Sequence, residues 1–449
     1  MGRLFGTDGV RGIAGTELTC ELAMRIGRAA AVVLTRHTSH KPRLVIGKDT
    51  RLSSDMLEAA MTAGICSVGA DAEVLGVIPT PAVAYLVKQY KADAGIMISA
   101  SHNPMEFNGI KLFNAEGYKL SDSLEDEIEE IVSGDLAQYL KSGAEIGRIS
   151  YADNAAADYV KHLVDSVDGD LRGMAVAVDC ANGSASVTAE ALFKGLGAQP
   201  FLINNEPDGI NINDRCGSTH MESLVNFMKA KHCALGVAFD GDADRCLAVD
   251  EDGIQLDGDK MLAIFSKHMK KNQKLAKDTV VVTVMSNLGF FHFAEQEGVQ
   301  TLAAKVGDRY VLEEMLKGGY CLGGEQSGHI IFGDYATTGD GQLSAVKLMS
   351  VMKKERKALS ELGAVMERYP QVLVNIKADD IGKRVLEEDE TVKGTIEAQT
   401  GELGSDGRIL VRASGTEPLI RVMVEGKNFD AINRCALKIA NVIKEQIGK

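Results

Sequence analysis

Short β-branched runs alternate with longer helical patterns along this 449-residue chain. The runs that predict strands are residues 44–46, 94–98, 175–179, 235–239 and 280–285. Because strands separated by helices pack as layers of helix on sheet, this alternation predicts an α/β fold. Three of the strands run into small polar turns, at residues 45–49 (VIGKD), 178–183 (VDCANG) and 284–289 (VMSNLG). The turns recur roughly every hundred residues, which indicates three similar units in tandem.

The chain is too long for one hydrophobic core, so three or four domains are expected. Residues 121–147 are acidic and weakly apolar, and residues 153–167 then have the pattern of an amphipathic helix. After Pro370 the pattern becomes a smaller strand and helix unit that ends in a helix over residues 430–447. The predicted domains are residues 1–150, 151–250, 251–369 and 370–449.

The charge of the chain excludes several classes of partner. Lys and Arg number 49 against 63 Asp and Glu, a net charge of −14, and aromatic residues make up 5% with no Trp. We therefore expect neither a basic surface for nucleic acid or anionic membrane nor a base-stacking surface. Any phosphate must be bound by a local cluster of donors.

The cysteines and apolar runs predict a cytoplasmic protein. The eight cysteines include no C-x-x-C pair and no zinc-type spacing, which argues against a disulfide framework or a structural zinc. The longest apolar runs are much shorter than a membrane span, and the first five residues lack a signal-peptide core.

The first candidate site follows a predicted strand in the segment GIMISASHNP, residues 95–104. A strand of buried type that ends in small polar residues presents side chains at the edge of a sheet. Ser101 is the candidate nucleophile. Since a bare serine needs a base or a cation beside it, His102 and Lys111 are candidates for its activation. The alternative is a capped turn whose hydroxyls are satisfied locally.

The second candidate site is FDGDADR, residues 239–245, which also follows a predicted strand. In a tight loop the carboxylates of Asp240, Asp242 and Asp244 can converge on one hard cation, and Gly241 would permit the turn. Three carboxylates without a distant bidentate Glu favour Mg²⁺, completed by waters and a phosphate oxygen, over Ca²⁺. The alternative is a solvated acidic turn, in which the carboxylates would repel one another.

The third candidate site, GGEQSGH at residues 323–329, crowds an acid, an amide, a hydroxyl and an imidazole into five positions. Glu325 can accept hydrogen bonds from sugar hydroxyls, Ser327 can donate or accept, and His329 can transfer a proton near neutral pH. Such a loop suits a hydroxyl-rich ligand, and a plain polar turn is the alternative.

The fourth candidate site is RASGTEP, residues 412–418, with another arginine shortly after it. Backbone N–H groups, two hydroxyls and guanidinium groups would form an anion-binding nest of the kind that phosphate prefers. The candidate ligands are Arg412, Ser414, Gly415, Thr416 and Arg421.

The four motifs, taken together in this order, resemble the α-D-phosphohexomutase family. The match runs across the whole chain and includes the segments FGTDGVRG at residues 5–12, NIN at 211–213, CGSTH at 216–220 and VGDRY at 306–310. These segments are most similar to the branch of the family that acts on glucosamine phosphates. The resemblance implies three tandem similar α/β domains with mixed sheets and a smaller C-terminal α+β domain, around a central cleft.

The resemblance also implies roles for individual residues. In that family the serine at the position of Ser101 carries a phosphoryl group, and the aspartates of the second motif hold Mg²⁺ together with it. A phosphoserine brings nearly two negative charges, so a second phosphate needs a cation and Arg11 and Arg245 nearby. The other implied roles are general base and acid for Lys111 and His329, contacts to sugar hydroxyls for Glu325 and Ser327, and binding of the non-reacting phosphate for Arg412, Ser414, Gly415, Thr416 and Arg421.

The implied reaction interconverts glucosamine 6-phosphate and glucosamine 1-phosphate through a bound 1,6-bisphosphate, and it would feed UDP-N-acetylglucosamine synthesis. The phosphoserine gives its phosphoryl group to one sugar oxygen, and the serine later takes the group from the other. The implied cofactors are one Mg²⁺ per subunit, the phosphate on Ser101, and glucose or glucosamine 1,6-bisphosphate as activator. The expected partner is a small-molecule hexosamine phosphate, with a homodimer as an open alternative.

Three other functions stay open. The same chemistry on glucose or mannose phosphates is the nearest, because no residue in the motifs is seen to bind the amino group at C2. A non-catalytic sugar-phosphate sensor would keep the cleft without turnover, and a serine acyl hydrolase would need an oxyanion hole and a His–Asp pair. The sequence lacks the signatures of nucleotide-loop kinases, dinucleotide enzymes, zincins and nucleophile-elbow hydrolases.

Overall fold

The computed structural model describes residues 4–6, 8–414 and 418–448. The chain divides into two compact units, Met1–Met285 with Gly298–Val365, and Ser286–Glu297 with Met366–Lys449. Three mixed sheets in the first unit and an antiparallel sheet in the second confirm the predicted fold class. The domain boundaries given above stay predictions. Among the described residues, no helix combines the length and apolarity needed to cross a bilayer.

The first sheet has six strands in the order β1-β5-β4-β2-β3-β6. The strands are β1 (Val10–Ile13), β2 (Arg43–Lys48), β3 (Asp71–Val77), β4 (Ala94–Ile98), β5 (Phe107–Asn114) and β6 (Ile149–Tyr151). The helices are α1 (Cys20–Thr35), α2 (Leu52–Ser67), α3 (Thr80–Gln89) and α4 (Asp122–Ser133). β5 is antiparallel to β1 and β4, and the other neighbours are parallel. All five residues of β4 are buried, as expected for a strand that is covered on both faces.

The second sheet has the order β11-β10-β9-β7-β8. Its strands are β7 (Ala175–Asp179), β8 (Gln199–Ile203), β9 (Leu235–Phe239), β10 (Cys246–Val249) and β11 (Gln255–Leu256). Its helices are α5 (Ala155–Asp165), α6 (Ala189–Gly195) and α7 (Glu222–Lys231). β7 is parallel to β8 and β9, whereas β10 is antiparallel to β9 and β11.

The third sheet has the order β13-β12-β14-β15. Its strands are β12 (Thr279–Thr283), β13 (Gln300–Ala304), β14 (Leu322–Gly324) and β15 (Ile330–Phe332). The helices in this part of the chain are α8 (Gly258–Lys271), α9 (Leu288–Glu297), α10 (Asp308–Gly318), α11 (Gly341–Glu355) and α12 (Leu359–Gly363). α9 connects β12 to β13 in the chain but belongs to the second unit.

The second unit is built on a three-stranded antiparallel sheet in the order β16-β18-β17. Its strands are β16 (Gln371–Lys377), β17 (Gly407–Ala413) and β18 (Leu419–Gly426). The remaining helices are α13 (Asp380–Lys383), α14 (Val385–Glu388), α15 (Glu390–Leu403) and α16 (Phe429–Ile447). The apolar stripe of α16 packs with the alternate buried residues of β18, including Ile420, Val422 and Val424, in one core.

The three α/β sheets share one run of four strands. The runs are β5-β4-β2-β3, β10-β9-β7-β8 and β15-β14-β12-β13. In each run the first two strands are antiparallel and the other neighbours are parallel. The turns that join the antiparallel pairs are residues 99–106, 240–245 and 325–329, which contain the functional residues of the first three sequence motifs. The repeated topology therefore presents these motifs from equivalent points of the three sheets.

Candidate active site

Ser101 lies in the turn between β4 and β5 and is 1% exposed. Its backbone φ is 53°, in the left-handed region that a residue with a side chain adopts only when its surroundings hold it there. Its hydroxyl donates a hydrogen bond of 2.6 Å to Oδ2 of Asp240. The turn therefore holds the candidate nucleophile against the acidic loop of the second sheet.

The carboxylates of Asp240, Asp242 and Asp244 converge as the sequence predicted. All three are buried, and each offers a ligand oxygen within 4.8 Å of the others. Among the described residues, Oδ1 of Asp242 and Oδ1 of Asp244 have no hydrogen-bond partner, although Nε of Arg245 lies 3.8 Å from Oδ1 of Asp244. Since a buried carboxylate oxygen without a hydrogen bond is costly, the residues present fit a hard cation at this position. Burial, and then repulsion from Asp244 and Asp242, raises the pKa of Asp240 well above its ordinary value, and a cation would relieve that repulsion.

The acidic loop turns differently from the prediction. The sequence predicts that Gly241 permits the turn, but the residue in the left-handed region is Ala243, with φ of 55°. A Cβ atom on Gly241 would lie 2.5 Å from the carbonyl oxygen of Ser101. Glycine is therefore required for the close approach of the two loops rather than for the turn.

Lys111 on β5 is buried among carboxylates. Its Nζ lies 2.8 Å from Oδ2 of Asp242 and 3.0 Å from Oδ2 of Asp8. Burial disfavours the ammonium, but the carboxylates of Asp242, Asp8 and Asp244 outweigh burial and raise the pKa of Lys111 well above its ordinary value. Lys111 therefore holds its proton firmly in this arrangement. A cation bound by Asp242 and Asp244 would weaken these ion pairs and favour release of the proton.

His329, at the end of the third turn, is buried next to the acidic loop. The backbone N–H of Gly339 donates to Nε2 at 2.9 Å, and Nδ1 lies 3.5 Å from Oδ2 of Asp244. The neutral ring therefore carries its proton on Nδ1, facing the acidic loop. Burial lowers the pKa of His329, but Asp244 and then Asp308 outweigh burial and raise it above its ordinary value.

Two arginines flank the serine turn. Nη1 of Arg245 donates to Nδ1 of His102 at 3.2 Å, and burial, followed by the charges of Arg245 and Arg11, lowers the pKa of His102 to about 4. Arg11 donates to Oδ1 of Asn103 at 3.0 Å and pairs with Asp8 at 2.5 Å. Within the part of the chain that the structure describes, the buried Nε atoms of Arg11 and Arg245 have no hydrogen-bond partner. Each arginine therefore keeps a donor for an anion.

Glu325 and Ser327 lie in the third turn. Oε1 of Glu325 accepts from the backbone N–H of Gly307 at 3.1 Å, and burial raises the pKa of this carboxyl. Oγ of Ser327 is buried and has no hydrogen-bond partner among residues 4–6, 8–414 and 418–448. A Cβ atom on Gly328, with φ of 91°, would lie 2.2 Å from the carbonyl oxygen of Cys246, so the turn needs glycine to pack directly on β10.

Charged residues that the motifs did not single out complete this region. Asp8 pairs with Lys111 at 3.0 Å and with Lys119 at 2.5 Å. Lys119 also pairs with Asp308, and Oδ2 of Asp308 lies 3.5 Å from Nε2 of His329. Alternating charges therefore connect Lys111 to His329. Asp8 and Asp308 lie in segments that resemble the family, which is the signal that would have identified them.

The fourth motif lies in the second unit. Arg412 on β17 and Arg421 on β18 are directly opposite each other in the antiparallel pair, and burial and then Arg421 lower the pKa of Arg412. Because like charges directly opposite each other destabilise a strand pair, an anion beside them would be stabilising. Ser414 is buried at the end of this pair. Gly415 and Thr416 lie outside the described residues.

Comparison with known sequences settles the family. Four domain profiles match the chain: Phosphoglucomutase/phosphomannomutase alpha/beta/alpha domain I over residues 2–138, domain II over 157–253, domain III over 257–369 and the C-terminal domain over 373–442. This chain belongs to the phosphoglucomutase/phosphomannomutase family. The three α/β sheets and the antiparallel sheet follow the order of those four domains.

Relatives of this phosphoglucomutase/phosphomannomutase family member match it over its whole length. The phosphoglucosamine mutase of Clostridium acetobutylicum is 56% identical over 99% of this chain and 100% of that protein. The phosphoglucosamine mutase of Acetivibrio thermocellus is 52% identical over 100% of both proteins.

Two solved structures share the fold. A phosphoglucomutase/phosphomannomutase family protein from Burkholderia thailandensis has a TM-score of 0.82 at 23% identity, over 99% of this chain and 97% of that one. N-acetylphosphoglucosamine mutase from Aspergillus fumigatus, solved in complex with GlcNAc-6P and magnesium, has a TM-score of 0.69 at 18% identity, over 99% and 96%. At these identities the two structures support the fold alone.

Proposed function

We propose that this chain interconverts glucosamine 6-phosphate and glucosamine 1-phosphate through a phosphoserine and a bound 1,6-bisphosphate. The observation that carries the proposal is the Ser101 hydroxyl, held 2.6 Å from a buried triad of carboxylates that fits a cation. Identity of 52% and 56% to proteins named phosphoglucosamine mutase supports the choice of substrate. The product would feed UDP-N-acetylglucosamine synthesis.

In the proposed reaction Ser101 carries the phosphoryl group. A hydroxyl oxygen of the sugar bonds to the phosphorus of the phosphoserine while the bond from that phosphorus to Oγ of Ser101 breaks. The proton of the attacking hydroxyl passes to a base. The reverse transfer, at the other end of the intermediate, returns a phosphoryl group to Oγ and a proton to the departing sugar oxygen. Lys111 and His329 are the proposed base and acid, since both lie against the acidic loop.

Charge control is the main task of the other residues in this proposal. Mg²⁺, held by Asp240, Asp242 and Asp244 together with the phosphoserine, would neutralise charge on the transferring group. Arg11 and Arg245 each have a buried Nε–H without a hydrogen-bond partner among the described residues, and these guanidinium groups would bind phosphate oxygens.

The remaining contacts are assigned to the two ends of the substrate. Glu325 and Ser327 would bind sugar hydroxyls, and Arg412, Ser414 and Arg421 of the second unit, with Gly415 and Thr416, would bind the phosphate that does not react. All eight cysteines are free, which suits the reducing cytoplasm in which we place the activity. A 1,6-bisphosphate as activator and a homodimer remain predictions.

A serine acyl hydrolase is less well supported. Oγ of Ser101 lies 3.3 Å from Nδ1 of His102, but the hydroxyl donates at the shorter distance of 2.6 Å to Asp240, and the same Nδ1 accepts from Arg245. In a hydrolase the imidazole would instead accept the serine proton while a carboxylate orients it.

The choice of sugar is tested by comparing glucosamine, glucose and mannose 6-phosphates. We expect kcat/KM for glucosamine 6-phosphate to exceed the other two by at least about tenfold, since a site built for an amino group leaves that contact unmade with a hydroxyl. Equal values, or preference for another sugar, would favour the glucose or mannose phosphate alternative. Binding without turnover of any of the three would instead indicate a sensor.

His329→Gln is expected to lower kcat by about 10²- to 10⁴-fold while KM changes little, because the amide keeps a polar group but cannot donate an ionisable proton. Against the effect of burial, Asp244 raises the pKa of His329 in the metal-free arrangement, and a cation on Asp244 would reduce that effect. In either state the proton-donating form is lost as pH rises through the pKa of His329. The wild-type kcat should therefore fall on the alkaline side, and the variant should lack that limb. A variant with the pH–rate profile of the wild type would reject the role.

A further inference from the structure

Arg51 is a fully buried arginine just after β2, and its guanidinium contacts the turn that carries Ser101. Nε donates to Oδ2 of Asp49 at 2.8 Å. The two terminal nitrogens donate to four carbonyl oxygens: those of Ser101 at 2.9 Å, Asn103 at 2.8 Å, Phe107 at 3.0 Å and Pro104. All five N–H groups of the guanidinium are therefore used: three of them bind carbonyls of the turn and one binds the carbonyl of Phe107, the first residue of β5.

Asp49 orients this guanidinium and is itself 1% exposed. Its Oδ1 accepts from the hydroxyl of Ser54 at 2.9 Å, and its Oδ2 accepts from the hydroxyl of Ser99 at 2.6 Å. Oγ of Ser99 in turn accepts from the backbone N–H of Ser101 at 2.9 Å. Both the N–H and the carbonyl of Ser101 are thus tied to the Asp49–Arg51 pair.

A buried ion pair needs a reason, because the cost of removing two charges from water often exceeds their attraction. Here the positively charged guanidinium donates hydrogen bonds to carbonyls of the turn in which Ser101 has φ of 53°. That backbone conformation is costly for a residue with a side chain and persists only where neighbours hold it. Asn213 adds a further hydrogen bond of 2.9 Å to the Ser101 carbonyl.

We propose that Arg51 and Asp49 are positioning residues for phosphoryl transfer, which hold Ser101 in the conformation that directs Oγ at the acidic loop. The inference rests on the proposed function, since it concerns the same serine. Phosphoryl transfer depends on the alignment of attacking and leaving oxygens. Loosening the turn therefore slows the transfer, while sugar and phosphate contacts made by the other loops persist.

The test compares Arg51→Lys with the wild type. The lysine can pair with Asp49, but it lacks the planar fork that reaches four carbonyls. We expect kcat, normalised to the phosphorylated fraction from intact mass, to fall about 10²-fold while KM stays within about twofold, as for a misplacement of the reacting group by about an ångström. In phosphorus NMR of the intact protein, the phosphoserine signal should shift or broaden.

Ser99→Ala is the second variant, because it removes one hydroxyl from the same network and changes little volume. We expect kcat to fall about tenfold, since the N–H of Ser101 loses its acceptor. Arg25→Lys is the matched control. Arg25 also donates to backbone carbonyls of the first unit, those of Val132 at 2.7 Å and Gly134 at 2.6 Å, but not to the serine turn, so its kcat and phosphoserine signal should match the wild type.

The outcomes separate the inference from the function on which it rests. If the wild type turns over and both variants keep its normalised kcat and phosphoserine signal, the positioning role is overturned while the proposed function stands. The positioning role is also overturned if the variants have a lower folded fraction but the folded protein keeps the kcat and phosphoserine signal of the wild type. If Arg51→Lys does not fold, the kcat and phosphoserine signal of Ser99→Ala decide whether the positioning role holds. A wild type without phosphate on Ser101 and without turnover overturns both.

Discussion

Replacing Ser101 with alanine is expected to reduce isomerisation of glucosamine 6-phosphate by about 10⁴-fold or more and to remove one phosphate from the intact mass of the protein. The reason is that, in the proposed function, the hydroxyl at this position is the temporary holder of the phosphoryl group. Its 2.6 Å contact with Asp240 places it where phosphate and cation would share the site. The measurement is kcat together with the intact mass of the protein as purified.

Ser266→Ala is the matched control for that substitution. Ser266 is buried like Ser101, but it lies on α8, where its hydroxyl donates to the carbonyl of Ala263 at 3.1 Å. The control should keep full activity and the phosphorylated mass. Activity in Ser101→Ala above about 1% of the wild type would contradict the role of this serine, and so would retention of the phosphate.

Asp242→Asn is expected to weaken Mg²⁺ binding at least about tenfold and to lower kcat by about 10²- to 10³-fold. Oδ2 of Asp242 already accepts from the hydroxyl of Thr80 at 2.5 Å and from Lys111 at 2.8 Å. Oδ1 is buried and has no hydrogen-bond partner among the described residues, so it is the oxygen that would bind the cation. The amide keeps the shape of the carboxylate but loses the charge that a hard cation requires.

The measurement for Asp242→Asn is a titration of activity with Mg²⁺ after treatment with a chelator. Chelation should remove turnover from the wild type, and added Mg²⁺ should restore it. Asp250→Asn is the control, because Asp250 is also buried but accepts from the N–H groups of Asp252 at 3.1 Å and Ile254 at 2.8 Å in another turn. An Asp242→Asn variant as active as the wild type at limiting Mg²⁺ would contradict the ligand assignment.

Much of the fold is predictable because the apolar pattern of a strand or helix in the sequence matches the side chains that the element buries. The predicted strands 94–98 and 235–239 match β4 and β9, whose residues are all buried and form continuous apolar runs. The helix predicted over residues 430–447 matches α16, whose stripe of apolar residues has a helical period. The strand predicted to end at residue 285 is too long, since β12 ends at Thr283.

The acidic loop illustrates what the sequence can and cannot predict. The alternation of Asp240, Asp242 and Asp244 with small residues is enough to predict converging carboxylates, and the structure confirms it. The reason for glycine at position 241 was not predictable, because it is the close approach of the carbonyl of Ser101, 140 positions earlier in the chain. The close approach of two loops has no local sequence signature.

Long-range ion pairs were missed for the same reason. Lys119 contacts Asp8 across 111 positions and Asp308 across 189 positions of sequence. Arg51 reaches Ser101 across 50 positions. Residues so far apart in the sequence do not belong to one periodic pattern of apolar residues. A single sequence therefore shows that each of them lies in a short polar segment, but not that they are in contact.

The central claim is that Ser101 holds a phosphoryl group temporarily and passes it to the sugar. Its most direct test mixes protein carrying radiolabelled phosphate on Ser101 with an excess of unlabelled glucosamine 6-phosphate. We predict that the label moves into the sugar phosphates within a few turnovers, while the intact mass of the protein stays that of the phosphorylated form. Label that remains on the protein while the sugar phosphate isomerises at the full rate would contradict this account.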